Sequence, residues 1–278
     1  MTPRAPRMHP DRGVPIDVIG YGVYKVPPED TQVLCSTALD AGYRLLDTAS
    51  LYGNEAGVGA AVRQWLDGGG ERSEVFITSK VWNEDHGFDA TLRAFDTSLD
   101  LLGLDHLDLY LIHWPCAARE LYVDTWRALV RLREEGRVRA VGVSNFQRPH
   151  LERLIADTGE APALNQVELH PYLQQRDLRL FHGEHGILTQ AWSPLGRGNV
   201  LEDEAIRQVA GELGRTPAQV ILRWHYQHGL LTIPKASSRE RIVSNLAIFD
   251  FSLDATQMAV LDRLDRDQRF GSHPDRVS

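Results

Sequence analysis

Cysteine is scarce in this chain of 278 residues: only Cys35 and Cys116 occur, far apart and outside any CxxC spacing. That argues against a disulfide scaffold and a zinc knuckle and suits a reducing compartment. Long apolar runs are missing as well. No stretch reaches the roughly 18 apolar residues that a membrane-spanning helix needs, and the opening MTPRAPRMHPDRG is polar, without the apolar centre of an export signal. A cytoplasmic protein is therefore expected. Basic charge is in deficit, 30 Lys+Arg against 38 Asp+Glu for a net charge of -8, which gives no support for a nucleic-acid or anionic-membrane partner. No GxGxxG turn opens the first helix, and there is neither an HxH pair near the first strand nor an HExxH. An open dinucleotide-binding sheet and a metal-dependent hydrolase both lose their signatures.

What is present is a rhythm. Apolar runs at 43–46, 75–80, 107–113, 138–143, 164–168, 187–191 and 230–234, with a first one near 18–22, alternate with amphipathic stretches at 29–42, 54–66, 88–102, 119–135 and 148–157. The runs are continuously apolar rather than alternating, as in strands buried on both faces of a parallel sheet. Eight such units without a composition break predict an α/β fold of the (β/α)8 TIM-barrel type, and 42% hydrophobic residues suffice for one domain over residues 1–278. An N-terminal β-hairpin is expected at a turn over Asp11-Arg12-Gly13. Helical patterns at 202–213 and 217–228 precede the last strand, the second with Thr216 as cap and Pro217 in its first turn. An extra C-terminal helix at 254–264, capped by Asp254, leads into a polar tail, DQRFGSHPDRVS.

In such a barrel the loops after the strands converge on one face, so active residues at separate strand ends become neighbours. Three of these ends supply an acid, a phenol, an amine and an imidazole: Asp47 and Tyr52 in LLDTASLYGNE, Lys80 in VFITSKVW and His113 in LDLYLIHWP. These groups suit protonation of a carbonyl oxygen while another group delivers hydride. A phenol with a pKa near 10 is a weak donor, and a cation such as Lys80 beside it is expected to bring its pKa down. Asp47 would keep that ammonium charged in a dry site, and His113 would hydrogen-bond the substrate oxygen.

The motifs GYRLLDTASLYGNE, ITSKVWN, LIHWP, VGVSNF, NQVELHPY, WSPLGRG and IPKASSRERIVSN resemble, in order and along almost the whole chain, those of the aldo-keto reductases. The spacing within them, PAQVILRWH and the GSHPD tail are most similar to the bacterial 2,5-diketo-D-gluconate reductases of that family. The resemblance implies an NADP-dependent oxidoreductase that reduces aldehydes or ketones, with Tyr52 as general acid and Asp47, Lys80 and His113 around it. It also implies a small-carbonyl substrate such as a keto sugar acid or methylglyoxal, and a monomer.

Ser144, Asn145 and Gln166 are short polar side chains at strand ends, where a carboxamide needs donors and acceptors; the resemblance assigns them to the nicotinamide. Trp192 stands where the family places an aromatic, commonly Tyr, flat on that ring. Ser193, Pro194, Leu195 and Gly196 form a loop whose backbone N–H groups suit a pyrophosphate. Lys235-Ala236-Ser237-Ser238-Arg239-Glu240-Arg241 concentrates three cations where barrels often bind phosphate. A point charge at Lys235 and a planar fork at Arg241 match the 2'-phosphate of NADPH. Ser238 and Asn245 match the family too, while Ala236 and Ser244 depart from its usual Ser and acidic residue. Tyr24, Trp82 and Trp114 match positions that line the family's substrate pocket. A second reading keeps the nucleotide site but makes the protein a non-catalytic, NADPH-binding redox sensor, since fold does not decide function.

Overall fold

In the computed structural model of the protein, residues 5–11 and 13–278 are described. The apolar runs pair in parallel in chain order: β3 (Tyr21–Gly22), β4 (Leu45–Asp47), β5 (Phe76–Val81), β6 (Leu107–Ile112), β7 (Val138–Ser144), β8 (Leu164–Glu168), β9 (Leu188–Trp192) and β10 (Leu231–Thr232). The sheet closes on itself. Ile19 bridges Thr232 in parallel, the Gly20 N–H donates to the Thr232 carbonyl at 2.8 Å and the Thr232 N–H to the Val18 carbonyl at 2.9 Å. A side chain on Gly22 would stand 2.8 Å from the Ile233 carbonyl oxygen, so the seam requires glycine there. The fold is the expected (β/α)8 barrel.

The barrel interior is filled by Ile16, Leu45, Phe76, Leu109, Leu111 and Leu231 among others, and the larger apolar core lies between the strands and the helices. The hairpin is β1 (Arg7–Met8) against β2 (Ile16–Asp17). Its expected turn includes Arg12, which lies outside the described residues. Ile16 packs into the barrel core, so the hairpin plugs the end opposite the converging loops.

Helices α1 (Pro28–Ala41), α2 (Glu55–Asp67), α3 (Phe88–Leu102), α4 (Tyr122–Glu134) and α5 (Arg148–Thr158) follow the amphipathic stretches. The fourth begins at Tyr122 rather than 119, because a 3-10 turn over Ala117–Arg119 ends on Glu120 in the left-handed region, φ 58°. Helix α6 (Arg176–Glu184) was not expected; it is mostly polar and buries only a short stripe of Leu178, Phe181 and His182. Helices α7 (Glu204–Leu213), α8 (Pro217–Gln227), α9 (Arg239–Leu246) and α10 (Ala255–Asp262) complete the ring. The predicted caps are in place: the Thr216 hydroxyl accepts the Gln219 N–H at 3.2 Å, and Asp254 accepts the Gln257 N–H at 2.8 Å. No helix among the described residues is long and apolar enough to cross a membrane.

Besides the catalytic candidate His113, three of the buried histidines, His86, His182 and His225, have strongly lowered pKa values. Burial pushes His86 down to about 4, helped by Arg119, His182 to about 3, helped by His185, and His225 to about 4. A histidine whose folded pKa lies below its unfolded value near 6.5 favours folding above that value, and the advantage is lost as pH falls toward the folded pKa. Stability should therefore drop between pH 6.5 and about 4, each histidine adding a slope of up to about 1.4 kcal/mol per pH unit. Urea unfolding at pH 7 and pH 5 measures this; equal midpoints would contradict it.

Candidate active site

The four catalytic candidates meet at the C-terminal mouth of the barrel. Asp47 ends β4, Lys80 lies near the end of β5, His113 follows β6, and Tyr52 closes the 3-10 turn Ser50–Tyr52 after β4. The Lys80 ammonium, with no exposed surface, donates to Asp47 Oδ1 at 2.6 Å and to the Thr48 carbonyl at 2.8 Å. Burial lowers its pKa, and the Asp47 carboxylate opposes this, as the sequence suggested. Its Nζ is 5.2 Å from the centre of the Tyr52 ring. The His113 ring stands edge-on to Tyr52 at 5.6 Å and to Trp82 at 5.1 Å.

One expectation is reversed. Lys80 was to bring the phenol's pKa down, yet Tyr52 is pushed well above 10, first by burial and then by the Asp47 carboxylate and Tyr24. The reason is that Lys80's charge is already matched by Asp47 at 2.6 Å, so the phenol meets an ion pair in a dry site rather than a free cation. Tyr52 is therefore a fully protonated donor at neutral pH. His113 is held well below its usual pKa by burial, Lys80 and His86, and is a neutral imidazole. Its Nδ1 is buried without a partner among the described residues, which leaves Nε2 for the cavity.

Asp47, Tyr52 and His113 line a cavity of about 290 Å³ together with Tyr24, Trp82, Trp114 and Trp192, while Lys80 is buried behind it. All three expected pocket aromatics are thus brought to it. On its far side a polar chain crosses the mouth. Gln166 donates to Asp47 Oδ2 and to Gln190 Oε1, each at 2.7 Å. Asn145 donates to the His113 carbonyl at 2.9 Å and to Ser144 Oγ at 3.0 Å, and accepts the Trp192 indole N–H at 2.8 Å. Ser144 Oγ donates to the Gln166 carbonyl at 2.8 Å. The amide hydrogens of Gln166 and Asn145 are thus engaged, and what these side chains offer a carboxamide is acceptor oxygen. The sequence alone did not reveal Gln190, which holds Gln166 in place.

A second cavity, of about 1020 Å³, shares Tyr24, Ser193, Arg197 and Lys235 with the first and extends past Pro194, Leu195, Arg241 and Asn245. Its charge is distinctive in a chain of net -8. Arg207 and Arg215 in its wall pair with Glu202 and Asp250, whereas Lys25, Arg197, Lys235 and Arg241 have no acidic partner among the described residues. Lys25 and Arg197 were missed because each is a lone cation in a loop; both have left-handed backbone, φ 59° and 55°, and only closure of the barrel sets them across one cleft.

Two of the expected cofactor residues, Gly196 and Ser238, line neither cavity. Gly196 is buried and gives its N–H to the Ser193 carbonyl at 2.8 Å. Ser238 is the N-cap of α9, accepting the Arg241 N–H at 3.4 Å, which leaves its exposed O–H able to donate.

Comparison with known proteins agrees with this geometry. The model of the Aldo/keto reductase family matches residues 18–266. An aldo-keto reductase of Mycobacterium sp. (strain JLS) is 49% identical over 270 residues, 97% of each chain. The glyoxal reductase of Bacillus subtilis (strain 168) is 48% identical over 267 residues, 95% of each chain. A crystal structure of a Gox0644 mutant in complex with NADPH superposes with a TM-score of 0.94 at 45% identity, covering 99% of this chain and 100% of that one. Fold, site and relatives converge: this chain belongs to the aldo/keto reductase family.

Proposed function

We propose that the protein is an NADPH-dependent reductase of aldehydes and ketones, with residues 1–278 acting as one monomeric domain. The observation that carries this reading is the continuity of the two cavities: a cation-lined cleft opens into a small aromatic chamber where a protonated phenol and a neutral imidazole face each other. The chamber, about 290 Å³, suits a small carbonyl compound; the glyoxal reductase relative and the methylglyoxal reductase of Yersinia pestis, 45% identical over 259 residues, point to the same class. Keto sugar acids belong to it too.

The residues fit the cofactor. The cations without acidic partners would balance the phosphate charge of NADPH, Lys235 and Arg241 being suited to its 2'-phosphate and Lys25 and Arg197 adding positive charge to the same cleft. Gln166 and Asn145 would present acceptors to the carboxamide, and Trp192, fixed by its bond to Asn145, would border the ring. NADPH, when bound, supplies the hydride. His113 Nε2–H holds the substrate oxygen, and Tyr52 Oη gives it the proton. Lys80 and Asp47 form the buried base of the site and, with Gln166, keep it aligned.

The raised Tyr52 pKa carries a sign. Reduction needs the phenol, so kcat/KM for NADPH-driven reduction should stay level from pH 6 to pH 8. Alcohol oxidation needs the phenolate and should rise with pH over the same range. Following NADPH absorbance with glyoxal, methylglyoxal and larger carbonyls tests both points. Tight NADPH binding with no turnover of any carbonyl would favour the sensor reading, and a reduction rate already falling between pH 6 and 8 would contradict the protonated Tyr52.

A further inference from the structure

Glu168, the last residue of β8, is wholly buried yet takes no part in the proton chemistry. Its carboxylate is instead turned to the C-terminal tail. Oε1 accepts the Phe270 N–H at 2.7 Å and the Gly271 N–H at 3.0 Å, and Oε2 accepts the Gly271 N–H at 3.1 Å. His170 Nε2 lies 3.3 Å from Oε1, and Arg269 Nη1 3.9 Å from Oε2. Burial pushes the carboxyl up, but His170 and the two N–H groups outweigh it and hold the group below its usual range. A charged acceptor with several donors in a dry setting is a strong fastening.

What it fastens borders the chemistry. Ser272 and Val277, just beyond the clamped residues, line the substrate cavity. Gly271 lies so close to Trp192 that an added Cβ would meet its Cη2 at 2.3 Å and Glu168 Oε2 at 2.9 Å. Phe270 packs on His170, ring centres 5.0 Å apart, and against Gly196, whose added Cβ would lie 3.1 Å from it. The tail thus touches the loop after β9 on one side and the substrate chamber on the other.

We propose that Glu168 is a positioning residue for the substrate site: its buried carboxylate clamps the tail backbone at Phe270 and Gly271, which sets Ser272 and Val277 as the chamber's outer wall and braces Trp192. The consequence rests on the reductase reading, but the clamp itself does not. In Glu168→Gln, the amide keeps one acceptor and turns an NH2 toward a backbone N–H, weakening the hold without changing shape.

Two measurements decide it. Amide hydrogen exchange across residues 269–277 of the whole protein should quicken by about tenfold or more in E168Q while barrel strands keep their protection. With 4-nitrobenzaldehyde, whose ring extends well beyond its carbonyl, KM should rise about tenfold at nearly constant kcat, whereas methylglyoxal, small enough to sit beside Tyr52 and His113 without extending to the tail, should change by less than about twofold. Gly271→Ala, which keeps the carboxylate but displaces the tail from Trp192, should give the same KM pattern if E168Q does not fold. Unchanged tail exchange overturns the clamp. A freed tail with unchanged KM for the aromatic aldehyde, or an equal loss with both substrates, overturns the positioning role. Wild-type protein that reduces neither aldehyde counts against the reductase reading instead, and exchange still decides the clamp.

Discussion

Tyr52→Phe should lower kcat/KM for carbonyl reduction by about 10²- to 10⁴-fold, the range a well-placed general acid supplies, with NADPH affinity within about twofold of wild type. The substitution removes one oxygen and leaves the ring, so its packing on Tyr24 at 5.1 Å and His113 at 5.6 Å persists. The remaining neutral imidazole can still hold a carbonyl oxygen but is a poor acid, because burial and Lys80 disfavour its charged form. The loss should therefore fall on kcat more than on KM, as for an interaction made only in the transition state. Single-turnover hydride transfer, followed by NADPH absorbance, measures it. Activity within about fivefold of wild type would move the proton-donor role away from Tyr52.

Arg241→Ala should weaken NADPH by about 10- to 100-fold, as expected for charge-assisted hydrogen bonds of about 1.5–3 kcal/mol, and NADH by less than about twofold. Arg241 is exposed and has no acidic partner in the cleft wall, so the guanidinium is free to meet a phosphate but is screened by salt. The loss should sit near the lower end of that range at physiological ionic strength and grow in dilute buffer. Lys235→Ala should act in the same direction with a smaller preference, since an ammonium lacks the planar fork. Fluorescence titration with both nucleotides at two salt concentrations reads the difference. Equal losses for NADPH and NADH would place Arg241 away from the 2'-phosphate.

The legible part of the site was local. Asp47, Tyr52, Lys80 and His113 could be picked out because each ends or follows an apolar run, and Trp82 and Trp114 because they follow such ends. Lys25 and Arg197 could not, because neither sits in a pattern that separates it from an ordinary surface cation. Gln190 and Glu168 read as interior strand residues; their roles come from partners 24 and more than 100 positions away. Ser238 has a second role that the motif alone does not separate from the first: its oxygen caps α9, and its O–H is still able to donate.

The order of eight strands, the helix caps at Thr216 and Asp254 and the chemistry available at the strand ends were determined by the sequence alone, since period, turn residues and capping act over a few neighbouring positions. Protonation and availability were decided only in three dimensions. Whether Lys80's charge acts on Tyr52 or is matched by Asp47, whether an amide hydrogen is free or spent, and whether the tail hangs loose or is held by Glu168 depend on burial and on distances between remote segments, and Coulomb and desolvation terms change sign with those distances.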